Sequence, residues 1–343
     1  MITEFVKNNK LPAFREQQFN EAYFKQGINS VDELTTWPKE LRQRLRHAFK
    51  FTTLGVETEF SSKNSNTIKT LFKRKDGQRI ETVLMRYKDG RNTVCVSCMV
   101  GCPVNCSFCA TGKMGFGGNL SAREIVDQVM HFERRLMKEG AHVTNVVFMG
   151  MGEPMLNILA VQEALHVMTD TDRLGLGKRR ITISTSGYIP QLRQLIKDGF
   201  CGRLAISLHA PNQKLREKLM PVAKLFPLGQ LLRTLDDFTE LTNKRVSYEY
   251  VIIQGVNDKD EHARELGKLF KRRLAHINLI PYNPIREAPF KRSSKRQISV
   301  FKTILEDYGI PVSIRSIMGD DVNAACGQLA DRANKAHESK RID

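Results

Sequence analysis

The chain has 343 residues, 41% of them apolar, which is enough for one large domain with a smaller one attached. Its 54 Lys and Arg outnumber 37 Asp and Glu, and the net charge of +17 points to a polyanion, nucleic acid first, as partner. No apolar run reaches the roughly 18–20 residues of a membrane span, the N-terminus lacks the apolar centre of a signal peptide, and seven cysteines, mostly bunched, fit a reducing cytoplasm better than a disulfide scaffold.

Residues 1–50 read as helical. A helix from Ala13 ends at Gly27, and Pro38 opens another that buries Leu41, Leu45, Ala48 and Phe49 and turns Lys39, Arg42, Arg44 and Arg46 outward. Residues 51–94 read as strands, with hairpin turns at Asp76-Gly77 and Asp89-Gly90. From Cys95 the pattern becomes strand, helix, strand, helix. Ser121 and Glu124 form a capping box for a helix with Ile125, Val129, Phe132 and Leu136 inward, ended by Gly140. Apolar strands follow at NVVFMG, RITIST, RLAISLH, RVSYEYVII, HINLIPYN and VSIRS. Six or more βα units predict an α/β fold whose parallel sheet is closed or partly closed into a barrel. Chemistry then belongs at the C-terminal strand ends, where Gly152, Glu153, Ser184, His209 and Asn283 fall.

Cys102, Cys106 and Cys109 form C-x3-C-x2-C just after the first core strand. Three thiolates on one short loop suit three irons of a [4Fe–4S] cluster and leave the fourth iron open. Adding Cys98 gives four thiolates, as a closed zinc site would have, but zinc sites favour two separated C-x2-C pairs.

The cysteine motif, Phe108 before its last cysteine and the GMGEP loop with Gly152 and Glu153 resemble the radical S-adenosylmethionine superfamily. IETV, TVCVS, GCPVNCSFCATGKMGF, GMGEPMLN, ITISTSG, AISLHAP, KLMP, IIQGVND, LIPYNP and AACGQL together resemble the RlmN/Cfr family of RNA adenine methyltransferases over nearly the whole chain. The resemblance implies a partial (β/α)6-type barrel at 95–330, a helical RNA-binding accessory domain at 1–50, a β-rich extension at 51–94 and a basic tail at 331–343. It makes Cys326 the S-methylated cysteine, Cys95 the thiol that resolves the reaction through a transient disulfide, and Glu81 the proton acceptor. It places Gly152, Glu153, Ser184, Ser207, Leu208, His209 and Asn283 against S-adenosylmethionine. Cys98 and Cys201 match no role.

The same resemblance implies a [4Fe–4S] cluster and two molecules of S-adenosylmethionine per turnover. One methylates Cys326, and the other yields the radical that abstracts hydrogen from the S-methyl group. The carbon so activated adds to an adenine carbon, and exchange-type chemistry at Cys95 releases the product. Pro154 after Glu153 resembles the branch that methylates C2 rather than C8. The implied partners are adenosine 2503 of 23S ribosomal RNA, adenosine 37 of certain transfer RNAs, and an electron donor such as flavodoxin or ferredoxin, with the protein a cytoplasmic monomer. Basic groups at residues 73–75, 178–180, 271–273, 291–292 and 295–296 would meet phosphates. The target base must be splayed out of its fold to be reached. A zinc protein that binds RNA without catalysis is the rival reading.

Overall fold

A ten-stranded sheet organises the chain, described at residues 2–316 and 318–330 in a computed structural model. The expected basic tail at 331–343 lies outside the described residues. Three short helices, α1 (Ile2–Asn8), α2 (Phe14–Asn20) and α3 (Lys39–Ala48), open the fold. Pro38 stands at the N-cap of α3, and Leu41 and Leu45 are buried as the spacing predicts, but Ala48 is exposed because the helix ends there. The helix from Ala13 widens at Glu21–Lys25 into a π turn before Gly27 stops it at φ 71°.

These helices close around an aromatic nucleus of Phe19, Tyr23, Phe49 and Phe51, with Phe19 and Phe49 edge to face at 4.9 Å. The nucleus is continuous with the main core. The fastening is polar as well. The Tyr23 hydroxyl lies 3.1 Å from Asp127 Oδ1, and Asp127 Oδ2 accepts from the backbone N–H and hydroxyl of Thr53, both at 2.6 Å. A buried carboxylate satisfied on both oxygens ties the N-terminal helices to the body of the protein.

Strands β1 (Gly55–Ser61), β2 (Thr67–Lys73) and β3 (Arg79–Arg86) are antiparallel; β2 turns into β3 at Gly77 and β3 into the next strand at Gly90, as the Asp-Gly pairs predict, while β1 turns into β2 through residues 62–66. They do not form a separate unit. β4 (Asn92–Cys95) pairs antiparallel with β3 and parallel with β7 (Asn145–Phe148), so the extension and the barrel share one sheet. The small hairpin of β5 (Met99–Gly101) and β6 (Phe116–Asn119) brackets the cysteine loop between β4 and β7.

From β4 onward the order is parallel: β7, β8 (Ile181–Thr185), β9 (Arg203–Ser207), β10 (Val246–Ile252), β11 (Ala275–Pro281) and β12 (Val312–Ile314). Helices α4 (Ala122–Met137), α5 (Ile158–Thr169), α6 (Ile189–Lys197), α7 (Gln213–Leu219), α8 (Leu228–Thr242), α9 (Asp260–Phe270) and α10 (Lys295–Asp307) occupy the crossovers. The Ser121–Glu124 capping box forms, and Ile125, Val129, Phe132 and Leu136 are buried on one face of α4. The strand order never reverses, so the sheet curls one way and its C-terminal strand ends converge. The expected α/β partial barrel is present, with a seventh short parallel strand at its rim.

Candidate active site

Each crossover of the barrel starts at a C-terminal strand end, and these ends surround a cavity of about 150 Å³. Cys102, Cys106 and Cys109 form one wall. Gly152, Glu153, Ser184 and Ser207 form a second, with His209 and Asn283 completing the rim. Cys326 enters from the far end of the chain. Of the cofactor-contact residues expected from the sequence, only Leu208 is absent from the lining. Its side chain is fully buried in the core beneath β9, because side chains alternate across the sheet and its neighbours face the cavity.

The cysteine loop is shaped by its backbone. Cys102 donates to the Gly115 carbonyl at 2.8 Å, Cys109 donates to the Cys106 carbonyl at 3.2 Å, and Asn105 takes a left-handed turn at φ 51°. Burial pushes the Cys102 thiol up to about 12. Burial also drives Cys106 well above its ordinary value; Cys109 and Cys102 reinforce the shift and Arg216 opposes it. The three thiols are thus within electrostatic reach of one another on one cavity wall.

Cys98 is not part of this set. Its Sγ lies under the next loop, where a Cβ on Gly152 would come within 2.9 Å of it and 2.7 Å of Met99 Cβ. Gly152 also has φ 109°, a backbone only glycine adopts readily. Among the described residues, no three His, Cys, Asp or Glu side chains converge tightly enough for a single metal ion. A mononuclear zinc site needs four ligands packed within about 2.3 Å of one point. Three thiols on one loop facing a cavity fit three irons of a [4Fe–4S] cluster and leave its fourth iron open to a ligand from outside the loop.

Glu153 is held rather than presented. Its Oε1 accepts from the Thr185 hydroxyl at 2.6 Å and Met155 N–H at 3.0 Å, and its Oε2 accepts from the Ser186 N–H and hydroxyl, both at 2.7 Å. Burial raises its pKa and these bonds oppose that. The carboxylate therefore pins the loop after β7 to the end of β8. His209, at φ 58°, accepts the Val251 N–H on Nδ1 at 3.0 Å and meets the Phe108 ring edge-on at 4.7 Å. Burial, aided by Arg216, depresses it to about 3. It is a neutral imidazole whose proton sits on Nε2, leaving that N–H as the donor.

A second, smaller cavity of about 30 Å³ adjoins the first and shares Met149, Asn283, Arg315 and Cys326 with it. Cys95 lines this one. Burial pushes the Cys95 thiol up to about 12; Cys326 adds to the shift and Arg315 opposes it. Arg315 is held above its ordinary value by Cys326 foremost, with Glu249 adding and burial opposing. Its Nη1 lies 3.9 Å from Glu249 Oε2. The sequence reading missed both Arg315 and Glu249. Glu249 had a signal, a carboxylate inside an otherwise apolar strand; Arg315 had only its place at a strand end.

Glu81 is not brought to either cavity. Its Oε1 lies 2.8 Å from Lys69 Nζ, and its Oε2 accepts from the Ala330 N–H at 2.9 Å. As placed, it anchors the segment that carries Cys326. Ala110 and Thr111 of the cysteine loop fasten the same segment, donating to the carbonyls of Gly327 and Leu329.

Residues 96–267 match the family model of the radical SAM superfamily. The chain is 43% identical, over 95% of its length and 88% of the relative's, to a Symbiobacterium thermophilum protein described as a probable dual-specificity RNA methyltransferase RlmN. A Carboxydothermus hydrogenoformans protein of the same description is 41% identical over 96% of this chain and 95% of its own. The crystal structure of a radical SAM methyltransferase from Sphaerobacter thermophilus superposes with a TM-score of 0.93 at 44% identity, covering 95% of each chain. The chain belongs to the radical SAM superfamily and, within it, to the RlmN family of RNA methyltransferases, which use a [4Fe–4S] cluster and S-adenosylmethionine.

Proposed function

We propose that this enzyme methylates C2 of adenosine 2503 in 23S ribosomal RNA, and of adenosine 37 in a set of transfer RNAs, through S-methylated Cys326. The observation that carries the reading is the pairing of Cys326 and Cys95. One thiol faces both cavities, the other lines the smaller one, and the sequence holds them far apart. A radical enzyme without a thiol intermediate has no use for that arrangement. The names of the relatives support dual specificity, and Pro154 at the first turn after Glu153 supports C2.

When bound, the cluster and S-adenosylmethionine supply the methyl group and the radical that activates it. The chain's residues do the rest. Cys102, Cys106 and Cys109 hold the cluster. Cys326 Sγ takes the methyl group and carries its carbon to the adenine. Cys95 Sγ, as thiolate, attacks Cys326 Sγ; an S–S bond forms, the S–C bond breaks, and its electron pair stays with the carbon attached to adenine, which takes a proton from solvent to become the methyl group. Glu81 takes the C2 proton in this reading, which requires the Ala330 contact to open. Phosphates of the RNA meet the exposed basic groups, and a flavodoxin- or ferredoxin-type donor supplies the electron in the cytoplasm.

Mass spectrometry of ribosomal and transfer RNA from cells with and without the gene tests the proposal. Loss of 2-methyladenosine from both RNAs supports it. Loss of 8-methyladenosine instead, or no change, refutes the C2 assignment.

A further inference from the structure

The cysteine loop is fastened on two sides. Ala110 and Thr111 tie it to the segment that carries Cys326. Ser107 ties it to α7, its N–H donating to the Leu219 carbonyl at 2.9 Å. Leu219, Met220 and Val222 share an apolar cluster with Val104 and Phe108 of the loop, and Met220 lines the cavity beside the three cysteines. Helix α7 and the 3-10 turn Pro221–Lys224 that follows it thus have one face against the cysteine loop and the other in solvent.

The outer face is basic. Gln213 folds the turn back onto the helix: its Nε2 donates to Glu217 Oε1 and to the Ala223 carbonyl, both at 2.7 Å, and its Oε1 accepts from the Leu228 N–H at 2.7 Å. The fold-back brings Lys224 to the helix that carries Lys214 and Lys218 one turn apart, and all three lysines are exposed. Among the described residues, none of the three has a carboxylate within ion-pair distance. Glu217, the one acid on α7, is held by Gln213. Beside Lys224, Leu225 leaves 72% of its surface in solvent. Cations around a bare aliphatic side chain suit a protein partner better than a polynucleotide. Phosphates are met by charge and do not answer an aliphatic group, whereas protein interfaces set an apolar centre inside a charged rim.

We infer that the outer face of α7 and the following turn is the docking surface for a small acidic one-electron carrier protein. The inference rests on the assignment of the cluster to the three cysteines. During turnover the cavity holds S-adenosylmethionine and the target base, so an electron enters the cluster through its protein wall. On this face that wall is one helix thick, about 10 Å. The lysines steer the acidic carrier, and Leu225 supplies the apolar centre of the contact. One electron leaves the carrier's flavin, hydroquinone becoming semiquinone, and takes the cluster from its oxidised to its reduced state.

The test follows, by absorbance, the oxidation of hydroquinone flavodoxin by the cluster-loaded enzyme at several salt concentrations. The double variant Lys218→Glu, Lys224→Glu should lower the second-order rate constant at least about tenfold and remove its salt dependence. Leu225→Asp should lower it as well. Both should methylate RNA at the wild-type rate when dithionite supplies the electron, and bind RNA with wild-type affinity. Lys178→Glu, Arg179→Glu, the same charge change on another exposed basic group, should keep most of the flavodoxin rate. Should the charge reversal fail to fold, Lys218→Gln, Lys224→Gln carries the same expectation with a smaller change. Wild-type flavodoxin oxidation by the folded double variant overturns the inference. Lost RNA affinity in that variant also overturns it and gives the face to RNA. Wild-type protein that binds no iron and no sulfide overturns the cluster assignment instead.

Discussion

The Asn283 side-chain amide donates to the Cys326 carbonyl at 3.2 Å, while its Oδ1 accepts from Arg292 Nη2 at 3.0 Å. Asn283 thus joins the end of β11 to the segment that carries Cys326, a role beyond the cofactor contact expected from its sequence motif. Replacing it with Ala removes two hydrogen bonds, each contributing about 1 kcal/mol. The expected result is normal iron content with slower methylation of Cys326, read by intact mass after single turnover. Unchanged Cys326 methylation in a folded Asn283→Ala protein would show that the other fasteners suffice.

Cys106→Ala should abolish the cluster and all methylation. Cys98 is not placed to substitute, because it lies beneath the Gly152 backbone, outside the cavity. Iron and sulfide analysis of anaerobically reconstituted protein checks this; retained cluster would mean that the loop rearranges to admit Cys98.

Release should depend on pH in a direction the burial of Cys95 sets. Its folded pKa of about 12 lies above the ordinary thiol value of 9.0, so the thiol is neutral at working pH. The thiolate is the attacking species, and its fraction grows about tenfold per pH unit below the pKa. Cys326 ceases to oppose ionisation once it is a neutral thioether, but burial remains. Adduct decay in rapid-quench experiments should therefore accelerate with pH across the neutral range, with adduct formation much less affected. A release rate flat in pH would mean that another group activates Cys95.

Glu81→Gln keeps an oxygen for the Ala330 N–H but cannot take a proton. If Glu81 is the base, turnover should fall by about 10²–10⁴-fold while Cys326 is still methylated. Near-normal turnover would leave Glu81 as the anchor that the geometry shows. Leaving Lys69 buried without its carboxylate also costs stability, so thermal unfolding is the accompanying control.

Local patterns carried the barrel. Six strands sit where the apolar runs are, and the Ser121–Glu124 box starts α4, because capping and alternation act over a few residues. The cysteine motif was legible for the same reason. The surroundings of Arg315 and Glu81 depend on partners far along the chain, which spacing does not encode. The basic groups show the converse. Arg74 pairs with Glu124, Arg273 with Asp236, and Arg292 bonds the Tyr282 carbonyl, so part of the charge read as RNA-facing is structural. Lys178, Arg179 and Arg180 remain exposed.

In the proposed reaction Cys326 carries the carbon and Cys95 lets it go. The most direct measurement is intact mass and peptide mapping of Cys95→Ala purified from cells and treated with nuclease. The expected species is protein bearing an RNA fragment bridged by one carbon to Cys326, absent from the double variant Cys95→Ala, Cys326→Ala. Cys95→Ala protein that carries no RNA, or that turns over normally, would contradict the account and place the release thiol elsewhere.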